Sequence, residues 1–211
     1  MDLASFVSRK NPEAVLEAFA RAYAEMPQKP QLVLKLNRGP RRERVHDKLL
    51  AAAAKHPGVV VIDRVLSADR IDELQWCCDL FLSLHRSEGF GLWIAECMAK
   101  GKPCVVTSYS GNTDFTNSEN SVGIGFSMIP VGRAEYPMGE GNWWADPDVD
   151  EAAGAICELS ADAKARRAIG AAARSTISTQ LSVERIGRLI RERLHQARAE
   201  ALDLPALELV G

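Results

Sequence analysis

Short, nearly continuous apolar runs alternate with segments of helical period along most of this chain, and no other feature limits its fold as strongly. The runs are Gln31 to Leu36 (Gln-Leu-Val-Leu-Lys-Leu), Val59 to Ile62, Leu80 to Leu84 and Pro103 to Thr107. A strand that faces solvent on one side alternates apolar and polar residues, whereas these are apolar on both faces and need cover on both. Strands of that kind, separated by helices, predict an α/β fold built on a parallel sheet with helices on both faces. Val122 to Val131 predicts a further strand or two, and the Gly-, Pro- and Trp-containing stretch from Gly132 to Trp144 reads as an irregular loop.

The helical segments carry their own punctuation. Asn11-Pro12-Glu13 reads as N-cap, first helical position and first-turn acid, followed by Val15, Phe19, Ala22 and Tyr23 at helical spacing and closed by Pro27 to Pro30. Arg41 to Lys55 is a charged, alanine-rich helix closed by His56-Pro57-Gly58. Ser67 caps a helix whose inner face includes Ile71, Leu74 and Gln75, and Leu92 to Lys100 stops at Gly101. Three helices end the chain, near Val149 to Leu159, Ala161 to Gln180 and Ser182 to Glu200. The tail after Asp203 is weakly patterned, and the sequence holds no internal repeat.

A length of 211 residues and 46% apolar content suit one domain with a sizeable core. The net charge of −2 gives no broad basic surface and argues against nucleic acid as a partner. No run approaches the roughly 18 apolar residues of a membrane span, and the amino terminus lacks the apolar core of a signal peptide. The cysteines, Cys77, Cys78, Cys97, Cys104 and Cys157, are odd in number and form no CxxC pair. That spacing suits neither a disulfide scaffold nor a zinc site, and a reducing, cytoplasmic setting fits it best.

Chemistry concentrates at Ser87-Glu88-Gly89-Phe90-Gly91-Leu92-Trp93-Ile94-Ala95-Glu96, where two carboxylates with seven residues between them frame a glycine turn. The third apolar run precedes the turn and a helix follows. Backbone amides at such a helix start attract phosphate, with the helix dipole adding to the pull. The bland alternative is a tight strand-to-helix turn without a ligand. The segment has neither the G-x-G-x-x-G spacing nor the Walker lysine. In parallel sheets ligands sit beyond the carboxyl ends of the strands. This turn, the Ser110-Gly111-Asn112 turn after the fourth run, and Lys35 and Asn37 after the first all fall there.

The two glutamates do not read as a hydrolase pair. On one helix they would lie about 12 Å apart at the usual rise, beyond the roughly 5 to 9.5 Å of paired glycosidase carboxylates. For Glu96 the ordinary reading is an i,i+4 pair with Lys100, although its neighbours Ala95 and Cys97 place it on a mainly apolar helix. Lys10, beside Arg9, is either a solvated lysine or a point charge for a diphosphate. His85 and Arg86 precede the turn as structural residues or phosphate neighbours. Asp146-Pro147-Asp148 contains a literal D-x-D, which reads as helix capping rather than a metal site. Ser87 and Ser110 have no histidine and acid placed to activate them, and the four tryptophans read as packing.

Taken in order, these pieces resemble the C-terminal, donor-binding half of GT-B glycosyltransferases, specifically glycosyltransferase family 4. Glu88 and Glu96 match the family's Glu-x7-Glu signature with a Glu-Gly-Phe-Gly-Leu core. Arg9-Lys10-Asn11-Pro12-Glu13 looks like the basic opening segment, and Ala99-Lys100-Gly101-Lys102-Pro103-Cys104-Val105-Val106 like the helix-to-strand step that follows. Gly111-Asn112-Thr113-Asp114-Phe115 and Trp144-Ala145-Asp146-Pro147-Asp148 also fit, so that most of residues 5 to 195 are covered.

The resemblance implies a Rossmann-like sheet and a role for each matched residue. Glu96 would hold the ribose hydroxyls of a nucleotide-diphosphate sugar and Glu88 would contact the donor sugar and serve the chemistry. The amides of Gly89, Phe90, Gly91 and Leu92 would meet the diphosphate, with Lys10 balancing its charge and His85 nearby. Val65 and Leu66 would lie by the base. Transfer would be of a hexosyl type, retain anomeric configuration and need no cofactor or metal. The arginine that the family carries six positions before this lysine is replaced by Ala4. The chain is expected to be one donor-binding domain over residues 1–211. An N-terminal acceptor domain in the parent protein would be its partner, so that alone it transfers sugar poorly. The alternatives are a non-catalytic nucleotide-sugar-binding module and a GT-B-like isomerase or phosphorylase. A phosphorylase would need a pyridoxal-phosphate lysine that no motif here identifies.

Overall fold

A computed structural model describes residues 7–36, 43–133 and 135–202. Ala4, Asn37, Arg41 and the tail after Asp203 lie outside the described residues. Strands β1 (Leu32–Leu36) and β2 (Val59–Asp63) pair in parallel, with Leu32 opposite Val59. Strands β3 (Phe81–Ser83), β4 (Cys104–Thr107) and β5 (Val122–Ile124) form a second parallel set in that order. The α/β class read from the apolar runs is the observed one, with parallel strands flanked by helices.

Strand β4 shows why its sequence is apolar throughout. Val105 points into a cluster made by Ala14, Ala18 and Ala22 of α2 (Pro12–Glu25) and by Ala152, Ile156 and Leu159 of α6 (Val149–Ala161). Its neighbours Cys104 and Val106 point the other way. They meet Ile94, Ala95 and Met98 of α5 (Leu92–Ala99) and Ala173 of α7 (Ala163–Gln180). Alternation of side chains across a strand thus delivers successive apolar residues to two helical layers. Helix α2 also reaches the other sheet, where Leu16 packs with Leu34, Leu36 and, from α3 (Glu43–Ala53), Leu49. The approach of α5 to α7 requires glycine: a Cβ on Gly170 would fall 2.1 Å from the carbonyl oxygen of Gly101.

Helix starts follow local chemistry. Asp148 accepts from the amides of Asp150 and Glu151 and caps α6, as the acidic Asp-Pro-Asp stretch predicts. Ser67 caps α4 (Ala68–Cys77) by accepting from the amide of Arg70. Asp162 caps α7 by accepting from the amides of Lys164 and Ala165, so that this helix starts at Ala163 rather than at Ala161, which closes α6. Ser182 accepts from the amide of Arg185 at the start of α8 (Val183–Leu202).

Two expectations are corrected. Asn11 does not cap α2 with its side chain. It sits at φ 50° and ψ 54° as the link from a preceding helical turn, α1 (Val7–Lys10), and its amide donates to the carbonyl of Val7. Trp143 and Trp144 are not loop. With Ala145, Asp146 and Pro147 they form β7 (Trp143–Pro147), antiparallel to β6 (Phe126–Pro130). A strand ending in Pro-Asp before a helix carries a strong cap signal, and that signal hid the pairing.

Candidate functional site

The turn Ser87 to Gly91 leaves the carboxyl end of β3 and starts α5 with Gly91 at φ 91°, a backbone geometry that disfavours a side chain. The first amides of a helix have no intrahelical partner. Here the space before them is open: a Cβ on Gly89 would meet nothing within 4 Å, and Leu92 is 61% exposed. Phe90 is exposed too and leans on Phe115, with ring centroids 5.1 Å apart.

A second loop, after β4, clasps this turn from behind. The amide of Gly111 donates to the carbonyl of Glu88 at 3.0 Å, and the amide of Glu88 donates to Ser110 Oγ at 2.7 Å. A Cβ on Gly111 would fall 2.1 Å from the carbonyl oxygen of Gly89. Ser110 takes φ 70° and ψ −154°, a strained conformation for a non-glycine residue, and strain of this kind persists only where surrounding contacts impose it. The sequence puts Ser110 in a turn at this edge and gives it no partners to activate it as a nucleophile. Its hydroxyl instead positions Glu88, and donates to the carbonyl of Tyr109 at 2.6 Å.

The structure brings Lys10, Arg9 and Glu88 together. Lys10 Nζ and Arg9 both pair with the Glu88 carboxylate, Arg9 at 3.2 Å, and Arg9 also donates to the carbonyl of Ser87 at 2.7 Å. Burial alone would push the Glu88 carboxyl up. The Lys10 hydrogen bond and the charges of Lys10 and Arg9 outweigh it and hold the group below the ordinary carboxylate range. The role of Arg9 has no local sequence signal, because its partner lies 79 residues away.

Glu96 has a different setting. Gln75 Nε2 on α4 donates to its Oε2 at 2.7 Å, and among the described residues Oε1 takes no hydrogen bond. The i,i+4 pair with Lys100 does not form; Lys100 pairs with Asp72 at 2.8 Å. Gln75 lies on the inner face of its helix, as its spacing predicts, and is buried, but its amide is committed to Glu96.

His85 is fully buried. Its Nε2 faces two acceptors, the carbonyl of Tyr109 at 3.2 Å and Asn112 Oδ1 at 2.9 Å. Asn112 Nδ2 donates to the carbonyl of Thr107, which fixes the amide's orientation. Nε2 therefore carries the proton, and Ser83 Oγ donates to Nδ1 at 3.0 Å. Burial lowers the imidazole's pKa and keeps the ring neutral. His85 thus ties the β3 exit to the loop after β4, with no ring nitrogen turned to solvent. Arg86 is drawn to β7, where Asp146 accepts from its Nη2 at 3.0 Å and its guanidinium lies over the Trp144 ring. One half of the D-x-D thus braces Arg86 while Asp148 caps a helix.

Val65 and Leu66 follow β2 at its carboxyl end, and Val65 is 79% exposed. Lys35 is buried at the corresponding end of β1, with Nζ on the carbonyl of Leu36. A cavity of about 420 Å³ lies elsewhere, between Val122 at the amino end of β5 and residues of α6 and α7. No helix among the described residues is long and apolar enough to cross a membrane.

Known proteins share this arrangement of elements. No curated protein sequence matches the chain. Among solved structures, the C-terminal domain of a glycosyl transferase group 1 family protein, LpcC of Francisella tularensis, is 16% identical. It aligns over 83% of this chain and 81% of its own, with a TM-score of 0.64. HepE of Anabaena, crystallised with UDP and glucose, is 22% identical over 89% of this chain, with a TM-score of 0.67. Sucrose-phosphate synthase of Thermosynechococcus elongatus is 19% identical over 92% of this chain, also with a TM-score of 0.67. The chain spans less than half the length of these last two, 45% and 44%. At such identities the likeness establishes the fold, that of a C-terminal domain of a GT-B glycosyltransferase. Residues 3–176 match the sequence pattern of the family described as glycosyl transferases group 1, so the chain belongs to that family.

Proposed function

We propose that this chain is the donor-binding domain of a family 4 glycosyltransferase, taking a nucleotide-diphosphate sugar across the turn between β3 and α5. One observation carries the reading. A helix N-terminus open to solvent at Gly89 is flanked by one carboxylate held by two cations and by a second with an oxygen to spare. That combination suits a ligand with negative charge at its centre and hydroxyl groups at both ends.

In this reading the amides of Gly89, Phe90, Gly91 and Leu92 receive the diphosphate, and Glu96 accepts from ribose hydroxyls while Gln75 holds its other oxygen. Val65 and Leu66 give the base an apolar edge. Glu88 faces the donor sugar with its position set by Ser110, Arg9 and Lys10. When the sugar's bond to the diphosphate breaks, negative charge grows on the leaving oxygen. Preorganised amides and Lys10 oppose that charge without having to reorganise, the usual source of electrostatic catalysis. Transfer is of a hexosyl type, retains configuration and uses no metal or cofactor. The acceptor binds to a further domain of the parent protein, the compartment is the cytoplasm, and the isolated chain transfers sugar poorly. UDP bound to HepE makes uridine the first base to try.

Calorimetry of the purified chain against UDP, GDP and ADP tests the donor reading. A nucleotide that binds wild type and binds Glu96→Ala at least about tenfold more weakly supports it. Equal affinity for both proteins removes the ribose role from Glu96, and no binding by any nucleotide removes the donor site.

A further inference from the structure

Two tryptophans stand side by side on β7 with opposite surroundings. Trp144 is 3% exposed and has the Arg86 guanidinium over its ring, whereas Trp143 is 57% exposed. Alternation along the strand sends them to opposite faces of the β6–β7 pair. The register sets Pro130 opposite Trp143, Met128 opposite Ala145 and Phe126 opposite Pro147. Directly opposed residues share a face, so Phe126, Met128 and Pro130 lie on the side of Trp143. Phe126 and Met128 are exposed as well. One face of the hairpin is thus packed, and the other presents a line of large apolar side chains to solvent. A contiguous patch of that kind marks a contact surface.

The patch adjoins the turn between β3 and α5. Thr107 of β4 pairs with Ile124 of β5, and Tyr109 and Phe126 each stand two residues further on, at the carboxyl edge of the sheet. Their rings meet with centroids 5.1 Å apart. The carbonyl of Tyr109 accepts from Ser110 Oγ, which accepts in turn from the amide of Glu88. On the other strand, the amide of Ala145 donates to the carbonyl of Arg86, at 3.0 Å. Backbone contacts from both strands' ends therefore fix the patch beside the loop that positions Glu88.

The chemistry of the patch selects its occupant. Tyr109 and Trp143 each carry a polar atom at the ring edge, and among the described residues neither the hydroxyl nor the indole N–H is hydrogen-bonded. The electron-rich face of an aromatic ring favours the slightly positive C–H groups on the face of a pyranose, whose hydroxyls then reach the polar edges. Between β6 and β7 the chain carries Arg133 against Glu135 and Glu140, which disfavours an anionic lipid surface. A line of four side chains also falls short of the roughly 20 to 30 residues a side of a standard protein interface.

We propose that Tyr109, Phe126, Met128 and Trp143 form a platform on which the acceptor stacks a pyranose ring, so that the acceptor is a carbohydrate. The proposal rests on reading the turn as a donor site, since the acceptor then has to approach on the Glu88 side. The platform adds a wall on this chain to the acceptor site of the further domain.

The test is saturation-transfer NMR on the full chain with the methyl glycosides of β-glucose, β-galactose, α-mannose and α-rhamnose, beside calorimetry with UDP, GDP and ADP. Transfer to ring protons of at least one glycoside is expected, with a dissociation constant in the millimolar range for so small a ligand on an open surface. Trp143→Ala should weaken it at least about tenfold. Trp76→Ala, which removes an exposed tryptophan on α4, should leave it unchanged. If Trp143→Ala fails to fold, oxidation of the wild type by N-bromosuccinimide reads the same contact: the bound glycoside slows oxidation at Trp143 and not at Trp76. Glycoside binding without nucleotide binding keeps the platform as a sugar site and removes the donor reading. Absence of glycoside transfer overturns the platform whatever the nucleotides do. Binding to phosphatidylglycerol vesicles, or self-association, that Trp143→Ala abolishes would assign the face to lipid or to a second copy and overturn it too.

Discussion

Glu88 and Glu96 are the same residue type with seven positions between them, yet the fold treats them in opposite ways. Glu88 lies in a turn, fixed by two cations at its carboxylate and by Ser110 and Gly111 at its backbone. Glu96 lies within a helix and, among the described residues, is fixed by the neutral amide of Gln75 alone. Glu88 is thus held in one geometry with its charge compensated. Glu96 is steered but keeps the capacity to accept from a ligand. The difference teaches that spacing defines which residues face the site, whereas partners define what each can do there.

The comparison breaks most completely if the support behind Glu88 is removed. Gly111→Ala puts a methyl group where the carbonyl of Gly89 stands, and is expected to cost about 3 kcal/mol in urea denaturation and to abolish nucleotide binding. A cost under about 1 kcal/mol would mean that the two loops separate freely.

Glu88→Gln removes the charge and keeps the shape. Breaking a fully buried ion pair costs about 3 to 5 kcal/mol. Side-chain exposures of 18% at Arg9 and 25% at Lys10 reduce the expectation here to about 2 kcal/mol. The sign with pH follows from the lowered Glu88 pKa. Its contribution is fully present above the ordinary carboxylate value of about 4.3 and is lost as pH falls through its folded value. The gap between wild type and variant should therefore close below about pH 4; a gap that persists there would place the effect elsewhere than in the charge.

Glu96→Gln is the matched experiment on the other side. It should change stability by less than about 0.5 kcal/mol while weakening UDP about tenfold, or about 1.4 kcal/mol. Equal stability losses at Glu88 and Glu96 would erase the contrast between them.

His85 offers a finer measure. Its pKa is lowered by burial, so the folded state binds fewer protons than the unfolded chain once pH falls below about 6.5. Stability should then decline with acid by at most about 1.4 kcal/mol per pH unit. His85→Gln should flatten that slope between pH 7 and 5, and an unchanged slope would assign it to another group. The smallest effect expected is at Lys100→Ala. Its partner Asp72 is exposed, so thermal denaturation should shift by less than about 0.5 kcal/mol, with UDP affinity unchanged.

Much of the fold was readable because its causes are local. Apolar runs announced parallel strands, although only β4 is buried along its whole length while Val33 of β1 and Val60 of β2 are exposed, and Asp148, Ser67 and Gly101 marked helix ends through contacts within a few residues. The missed elements show the limit of local reading. Trp143 to Pro147 became a strand because β6 was there to pair with it, and Asn11 became a left-handed link because α1 preceded it. The site divides in the same way. The glycine turn and both glutamates were visible in one ten-residue stretch, but Arg9, Gln75, Ser110 and Asn112 entered it from other elements.

By itself the sequence determined the periodicities, the caps at Ser67 and Asp148, the turn after β3 and the family to which they belong, since each rests on neighbours in the chain. Only the tertiary structure decided which partner each polar group took: Lys10 and Arg9 for Glu88, Gln75 for Glu96, Asp72 for Lys100, Arg86 for Asp146. A lysine or glutamine has several acceptors within reach of its sequence neighbours, and its choice is made by burial and distance after distant segments have packed. The two glutamates of one short motif thereby acquire different electrostatics from residues the motif does not contain.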